Sequence, residues 1–264
     1  MLGILAVNPY QLMAVIRRNG YKMNYKNKNI IVIGGSSGIG RGIASSYIEK
    51  GANVCITGTR NNINDYDEEI SENINKCIYK KLDLSELKNL EKLSLPFNDI
   101  NTLVCSQGIV AYDQKEFEME TFKKVVDLNL NSVMASCTFF HKNLSKNNGS
   151  IVIIGSGASF HAVRGNPAYS ASKGGLLTLI KTLAEAWARD GIRVNGIAPG
   201  YVATKLTEVT FGNEKRYENS LKSIPLRRWG SPEDMGEVCC FLSSEEASYV
   251  TGQMLTVDGG MSLS

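Results

Sequence analysis

Ile30-Ile31-Val32-Ile33-Gly34-Gly35-Ser36-Ser37-Gly38-Ile39-Gly40 is the stretch from which the fold can be read. A short apolar run that ends in glycines predicts a buried strand. Ile39 to Lys50 follows with helical spacing and stops at Gly51, a helix C-terminal signal. The glycine turn therefore joins a strand to a helix N-terminus, where free N–H groups and the helix dipole favour a phosphate. Its spacing is G-x-x-x-G-x-G from Gly35. Glycine turns also join strands to helices for packing alone, and both readings stand at this point.

Working outward, the same alternation continues. Val54–Thr57, Cys77–Leu82, Thr102–Cys105, Ser150–Ile154, Ile192–Ile197 and Gln253–Val257 read as further strands. Helical spacing runs over Phe117–Leu144 as one or two helices, over Tyr169–Arg189, and over Pro232–Ser243. Strands alternating with helices predict a doubly wound, mostly parallel α/β sheet with helices on both faces. No Pro/Ser-rich linker divides the chain, so a single domain is expected over residues 23–264. Ligands of such sheets bind beyond the carboxyl ends of the strands.

Composition narrows the function classes. The chain has 264 residues, 43% hydrophobic and 21% charged, ordinary globular values that argue against disorder. No apolar stretch approaches the roughly 18 residues of a membrane span. Residues 1–29 hold five basic groups and no acid. Taking these from the 29 Lys and Arg leaves 24 against 26 acids, so the body gives no reason to expect a nucleic acid. Residues 1–22 read as an N-terminal extension without a part in the fold, with Met23 as an alternative start; a transit peptide or a packed helix are the other readings. Cys55, Cys77, Cys105, Cys137, Cys239 and Cys240 form no CxxC pair, and His141 and His161 are the only histidines, so no metal site is expected. Free thiols in apolar runs fit a reduced, cytoplasmic protein.

Tyr169-Ser170-Ala171-Ser172-Lys173 opens the long helix. A spacing of four puts Tyr169 and Lys173 on one helical face. An ammonium beside a phenol favours the phenolate and is expected to lower a pKa that starts at about 10. Such a phenol can exchange a proton with an alcohol or ketone oxygen. Ser156 follows the fifth strand and can donate to the same oxygen. An isolated Y-x-x-x-K is also a common exposed helical pair.

Taken together, the glycine turn, Ser156, Tyr169, Lys173 and Pro199-Gly200 fall in order at strand ends. In this the sequence resembles the short-chain dehydrogenase/reductase family, in its single-domain Rossmann-fold branch, over residues 29–263. The resemblance implies that Tyr169 is the general acid/base, that Lys173 tunes it and binds the nicotinamide ribose, and that Ser156 orients the substrate oxygen. Asn129 matches the catalytic asparagine that links the lysine to solvent; a structural asparagine at a helix bend is the other reading. Gly35, Ser37, Gly38, Ile39 and Gly40 match the pyrophosphate turn. Asp83 and Leu84, Ser106, Gln107 and Gly108, and Pro199, Gly200, Val202 and Thr204 match the adenine, strand-end and carboxamide contacts. Two departures stand out: Gly34 replaces the usual threonine, and Cys105-Ser106-Gln107-Gly108 replaces Asn-Asn-Ala-Gly.

Gly58 stands where NAD-preferring relatives carry an acid, and Thr59, Arg60 and Arg41 are candidate 2′-phosphate partners. NADP(H) is expected over NAD(H). The resemblance extends to 3-oxoacyl-carrier-protein reductases, but the positions that dock the acidic carrier are Asn147 and Asp190 here, and the second has the wrong sign. A small-molecule ketone or secondary alcohol is therefore the expected substrate. Val110, Gly157, Phe160, His161, Val163, Tyr201 and Leu206 are candidate pocket residues, with residues 204–229 as a lid. The family resemblance implies a homotetramer, or a homodimer. A carrier-protein reductase and a non-catalytic, cofactor-sensing protein are the alternatives.

Overall fold

The computed structural model describes residues 23–66 and 75–263, so the expectations for residues 1–22 lie outside the described residues. Seven strands form one sheet: β1 Asn29–Ile33, β2 Asn53–Gly58, β3 Ile78–Lys81, β4 Thr102–Cys105, β5 Ser150–Ile154, β6 Arg193–Pro199 and β7 Met254–Val257. Their order is β3-β2-β1-β4-β5-β6-β7, and every pair is parallel. The strand order reverses between β1 and β4, which are paired through Ile33 and Cys105 at their carboxyl ends. That reversal opens a crevice there.

The central strands β1, β4, β5 and β6 bury both faces, as continuous apolar runs require, and the edge strands β3 and β7 stay partly exposed. Ile31 and Ile33 enter one layer of the core and Ile30 and Val32 the other. Each such buried side chain contributes about 1.5–3 kcal/mol relative to exposure. The first layer packs under α3 (Ser132–Ser145) and α4 (Pro167–Trp187), through Val133, Phe140, Leu176 and Ile180. The second packs under α1 (Gly38–Glu49) and α7 (Pro232–Ser243), through Ile43, Tyr47, Met235 and Cys239.

The alternation expected from the sequence fails between β3 and β4. Residues 82–101 form only a 3₁₀ turn at Leu87–Asn89. Leu82, Leu84, Leu90 and Ile100 nevertheless fill the layer beside Ile31 and Ile33. Pro96 interrupts the stretch, and the loop buries Leu82, Leu84 and Leu90 by lying on the sheet while Leu87 stays exposed.

The long helical region resolves into α2 (Met119–Val126), a π-helical turn at Asp127–Asn131, and α3. The expected lid folds as a 3₁₀ turn at Lys205–Thr207, α5 (Glu208–Phe211) and α6 (Glu214–Ser223). Trp229 gathers it, stacking on Tyr201 at 5.0 Å and donating from Nε1 to Ser220 Oγ at 2.7 Å. Among the described residues no helix is long and apolar enough to cross a membrane.

Candidate active site

The glycine turn lies at the crevice between β1 and β4. Gly34 has φ +74°, and a Cβ there would come within 2.9 Å of the Gln107 backbone nitrogen. A Cβ on Gly40 would strike the Gly34 carbonyl. With this backbone, glycine at 34 lets the turn meet the β4 loop and glycine at 40 lets the helix start pack on the turn itself. Ser37 begins α1 in extended geometry, is exposed, and its hydroxyl does not cap the helix. The first turn of α1 carries no acid. A cradle of exposed N–H donors, a hydroxyl and no negative charge fits a pyrophosphate. Across the crevice Thr204 faces Gly38, at 3.2 Å from where a Cβ would stand, so these two sequence-predicted residues meet.

The second group sits at the ends of β4 and β5. Tyr169 and Lys173 share a face of α4, and the ammonium lies 5.6 Å from the Tyr169 ring centroid. Lys173 is buried and donates from Nζ to the Ile154 carbonyl at 2.9 Å. Burial brings its pKa down to about 8. Ser156 starts the 3₁₀ turn Gly157–Ser159, accepts from the Ala158 N–H at 3.1 Å, and hydrogen-bonds with the Tyr169 phenol. A Cβ on Gly108 would stand 3.4 Å from Asn129 Oδ1 and 3.5 Å from Lys173 Nζ, so the β4 loop runs directly over both.

Asn129 belongs to the π-helical turn and is buried. It accepts from the Ile109 N–H and donates to the Ile109 carbonyl, each at 2.8 Å, and donates to Ser172 Oγ at 3.2 Å. The side chain thus ties the helix bend to the β4 loop and to α4 together.

One expectation is reversed. The Tyr169 phenol is held above its ordinary pKa, because burial outweighs the Ser156 hydrogen bond, and Tyr112 and Glu116 add to the rise. The neighbouring ammonium does not overcome these effects, since Lys173 is itself held down by burial.

Comparison with known proteins places the chain in a family. A family model described as enoyl-(acyl carrier protein) reductase matches residues 33–262. A 2-dehydro-3-deoxy-D-gluconate 5-dehydrogenase of Bacillus subtilis is 34% identical over 89% of this chain and 94% of its own. The chain belongs to the short-chain dehydrogenase/reductase family. A 3-oxoacyl-(acyl-carrier-protein) reductase of Chlamydia muridarum is 35% identical over 89% of this chain and 97% of its own. The structure of a candidate NAD(P)-dependent gluconate 5-dehydrogenase of Beutenbergia cavernae, with NADP bound at low occupancy, superposes with a TM-score of 0.82. It is 33% identical, and the match covers 91% of this chain and 99% of that one.

Other family positions are placed less directly. Asp83 is exposed after β3, and its carboxyl is held below the usual range by hydrogen bonds from Ser85. Leu84 points into the core, so only its backbone can face a ligand. Ser106 donates its N–H to the Ile33 carbonyl at 2.9 Å. Gln107 turns inward and donates from Nε2 to Ser132 Oγ at 3.2 Å. Pro199 ends β6, Gly200 donates to the Val257 carbonyl at 3.1 Å, and Val202 is buried. Thr59 and Arg60 lie exposed after β2.

For a short-chain dehydrogenase/reductase the residue sequence reading missed is Glu116. It is fully buried and accepts from the Ala111 N–H at 2.9 Å, Asn166 Nδ2 at 3.2 Å and the Tyr169 N–H at 2.8 Å. It thereby joins the β4 loop to the first turn of α4. A cavity of about 540 Å³ opens beside it, lined by Tyr112, Asp113, Gln114, Phe117, Arg164, Gly165 and Asn166. Of the expected pocket residues, Phe160, Val163 and Leu206 are exposed along the same edge, and Tyr112 donates to the Leu206 carbonyl at 2.5 Å.

Proposed function

We propose that the protein is an NADP(H)-dependent oxidoreductase that interconverts a small-molecule ketone and a secondary alcohol, with Tyr169 as general acid/base. The observation that carries this reading is the convergence of Ser156, Tyr169, Lys173 and Asn129 beneath the Gly108 loop. NADP(H) supplies or accepts the hydride when bound. Gly35, Ser37, Gly38, Ile39 and Gly40 hold its pyrophosphate, and Thr59 and Arg60 its 2′-phosphate. Asp83 and Leu84 flank the adenine, Ser106, Gln107 and Gly108 let the β4 loop approach the cofactor beside Lys173, and Pro199, Gly200, Val202 and Thr204 flank the nicotinamide half.

Ser156 donates to the substrate oxygen and places it against the phenol. Tyr169 delivers its proton to that oxygen in reduction and takes it back in oxidation. A phenol held above its ordinary pKa carries its proton near neutrality. Lys173 stabilises the phenolate that forms and binds the nicotinamide ribose; Asn129 keeps the helix bend and the Gly108 loop in register with it.

A small polar substrate is supported by relatives named for gluconate derivatives. A carrier-bound acyl substrate is the second reading, favoured by the Chlamydia muridarum relative's name. Against it, Asp190 presents a carboxylate, in contact with His141 at 2.9 Å, where an acidic carrier would need a cation. Residues 23–264 form the catalytic unit in this reading. A homotetramer or homodimer in the cytoplasm accompanies it, the latter setting supported by six unpaired cysteines.

The test is NADPH consumption with a panel of small ketones, sugar-acid ketones and a 3-oxoacyl-carrier-protein. Turnover of a small ketone that Tyr169→Phe abolishes supports the reading. Turnover that survives Tyr169→Phe, or that appears with the carrier substrate alone, refutes it.

A further inference from the structure

Arg60 is exposed at the carboxyl end of β2, yet it is held on three sides. Its guanidinium carbon lies 4.8 Å from the Tyr66 ring centroid. Its N–H donates to the Tyr66 phenol oxygen at 3.4 Å, and its carbonyl accepts from the Tyr79 hydroxyl at 2.7 Å. Tyr66 and Tyr79 in turn meet edge to face at 6.2 Å.

The phenol oxygen of Tyr66 is anchored above Gly58. A Cβ at position 58 would collide with that oxygen and stand 2.6 Å from Ser36 Oγ. Burial raises the Tyr66 phenol, but hydrogen bonding with Ser36, Tyr79 and the Arg60 N–H outweighs it and holds the group below its ordinary pKa. The missing side chain at Gly58 therefore does more than remove a negative charge: it admits the hydroxyl that fixes the Tyr66 ring.

We propose that Tyr66 is a positioning residue that holds the Arg60 guanidinium in place for the 2′-phosphate of NADP(H), and so sets the preference for NADP(H) over NAD(H). This rests on the cofactor reading above. A free arginine on an exposed loop loses much rotamer freedom when it grips a phosphate. A guanidinium already stacked on an aromatic face has lost part of that freedom beforehand, so less is lost on binding. NADH lacks the 2′-phosphate and gains nothing from the arrangement.

The experiment is a fluorescence titration with NADPH and with NADH of the wild-type chain, Tyr66→Ala, Tyr66→Phe, Arg60→Ala and the double variant Arg60→Ala/Tyr66→Ala. Tyr66→Ala is expected to weaken NADPH by about two- to five-fold, the range for an exposed cation–π pair. NADH affinity stays unchanged, which also shows that the chain is folded. Tyr66→Phe keeps the ring but frees it from its hydroxyl anchor, and its NADPH affinity falls between those of the wild type and Tyr66→Ala. With Arg60 already alanine, the further change Tyr66→Ala costs nothing.

An equal loss for both cofactors, no loss, a loss that persists without Arg60, or tighter NADPH binding would each overturn the proposal; the last would mean that the ring obstructs the site. If Arg60→Ala lowers the NADPH preference and Tyr66→Ala does not, the inference alone fails. If Arg60→Ala leaves the preference intact, the assignment of Arg60 fails, and this inference with it.

Discussion

The Lys173 ammonium lies 5.6 Å from the Tyr169 ring centroid, and the same nitrogen donates to the Ile154 carbonyl at 2.9 Å. One side chain of α4 is thus fastened to the end of β5 while facing the residue one turn before it. Ser156 follows the same strand end and hydrogen-bonds with the Tyr169 phenol, so the proposed acid/base, its hydroxyl neighbour and the lysine are all tied to the end of β5. Rigid placement of this kind is what proton transfer requires.

Removing the phenol oxygen is the sharpest perturbation. Tyr169→Phe is expected to lower turnover by about 10²- to 10⁴-fold, the usual worth of a positioned acid/base. NADPH affinity should change little, because the ring and α4 remain. The check is turnover beside a direct cofactor titration; a parallel loss of cofactor binding would mean that Tyr169 acts by packing.

Burial of Lys173 has a pH signature. Its pKa falls from 10.5 in the open chain to about 8 in the fold. Below about 8 both states carry the proton and the folded state bears the full cost of the buried charge. As pH rises from about 8 towards 10.5 the folded state releases its proton first, and folding stability rises on this account. At about 1.4 kcal/mol per pKa unit the cost is of order 3 kcal/mol. Urea unfolding of the wild type and Lys173→Met at pH 7 and pH 9.5 isolates it, since the other groups titrate alike in both chains. The wild type should gain on the variant as pH rises; a pH-independent difference would contradict the depressed pKa.

Glu116 separates hydrogen bonding from bulk. Glu116→Leu leaves the Ala111 N–H, the Tyr169 N–H and Asn166 Nδ2 without their acceptor. Each orphaned buried donor costs about 1–3 kcal/mol, so the loss should reach several kcal/mol in urea unfolding. Glu116→Gln keeps one carbonyl oxygen and should lose about half as much. Equal losses for the two variants would show that side-chain packing matters here and the acceptors do not.

Gly58 offers a test of cofactor choice by charge. In the proposed cofactor site Gly58→Asp adds a carboxylate at the ribose end, and its Cβ displaces the Tyr66 phenol from its place over residue 58. The ratio of NADPH to NADH affinity should fall by at least about tenfold, because like charges brought together cost several kcal/mol. A ratio that does not move would place the 2′-phosphate elsewhere.

Much of the fold was legible in the sequence because its signals are local. Thr102–Cys105 and Ser150–Ile154 are apolar runs between polar ones, and they are β4 and β5. Pro232–Ser243 carries helical spacing and is α7, whose first turn Ser231 and Asp234 cap at 3.2 and 2.8 Å. What stayed hidden depends on tertiary contact. Glu116 stands in the polar stretch Asp113-Gln114-Lys115-Glu116, which reads as solvated until the β4 loop and α4 close over it. The rise of the Tyr169 pKa reflects burial, which spacing along a helix does not report. Nor does any periodicity reveal that the phenol of Tyr66 lies over Gly58.

The most direct measurement is the titration of the purified wild-type chain with NADPH and with NADH, followed by nicotinamide fluorescence. It needs no substrate. The account predicts saturable binding of both, with NADPH the tighter by at least about tenfold, the scale of one charged phosphate contact. Tighter binding of NADH would contradict the roles given to Gly58 and Arg60, and binding of neither would contradict the oxidoreductase reading itself.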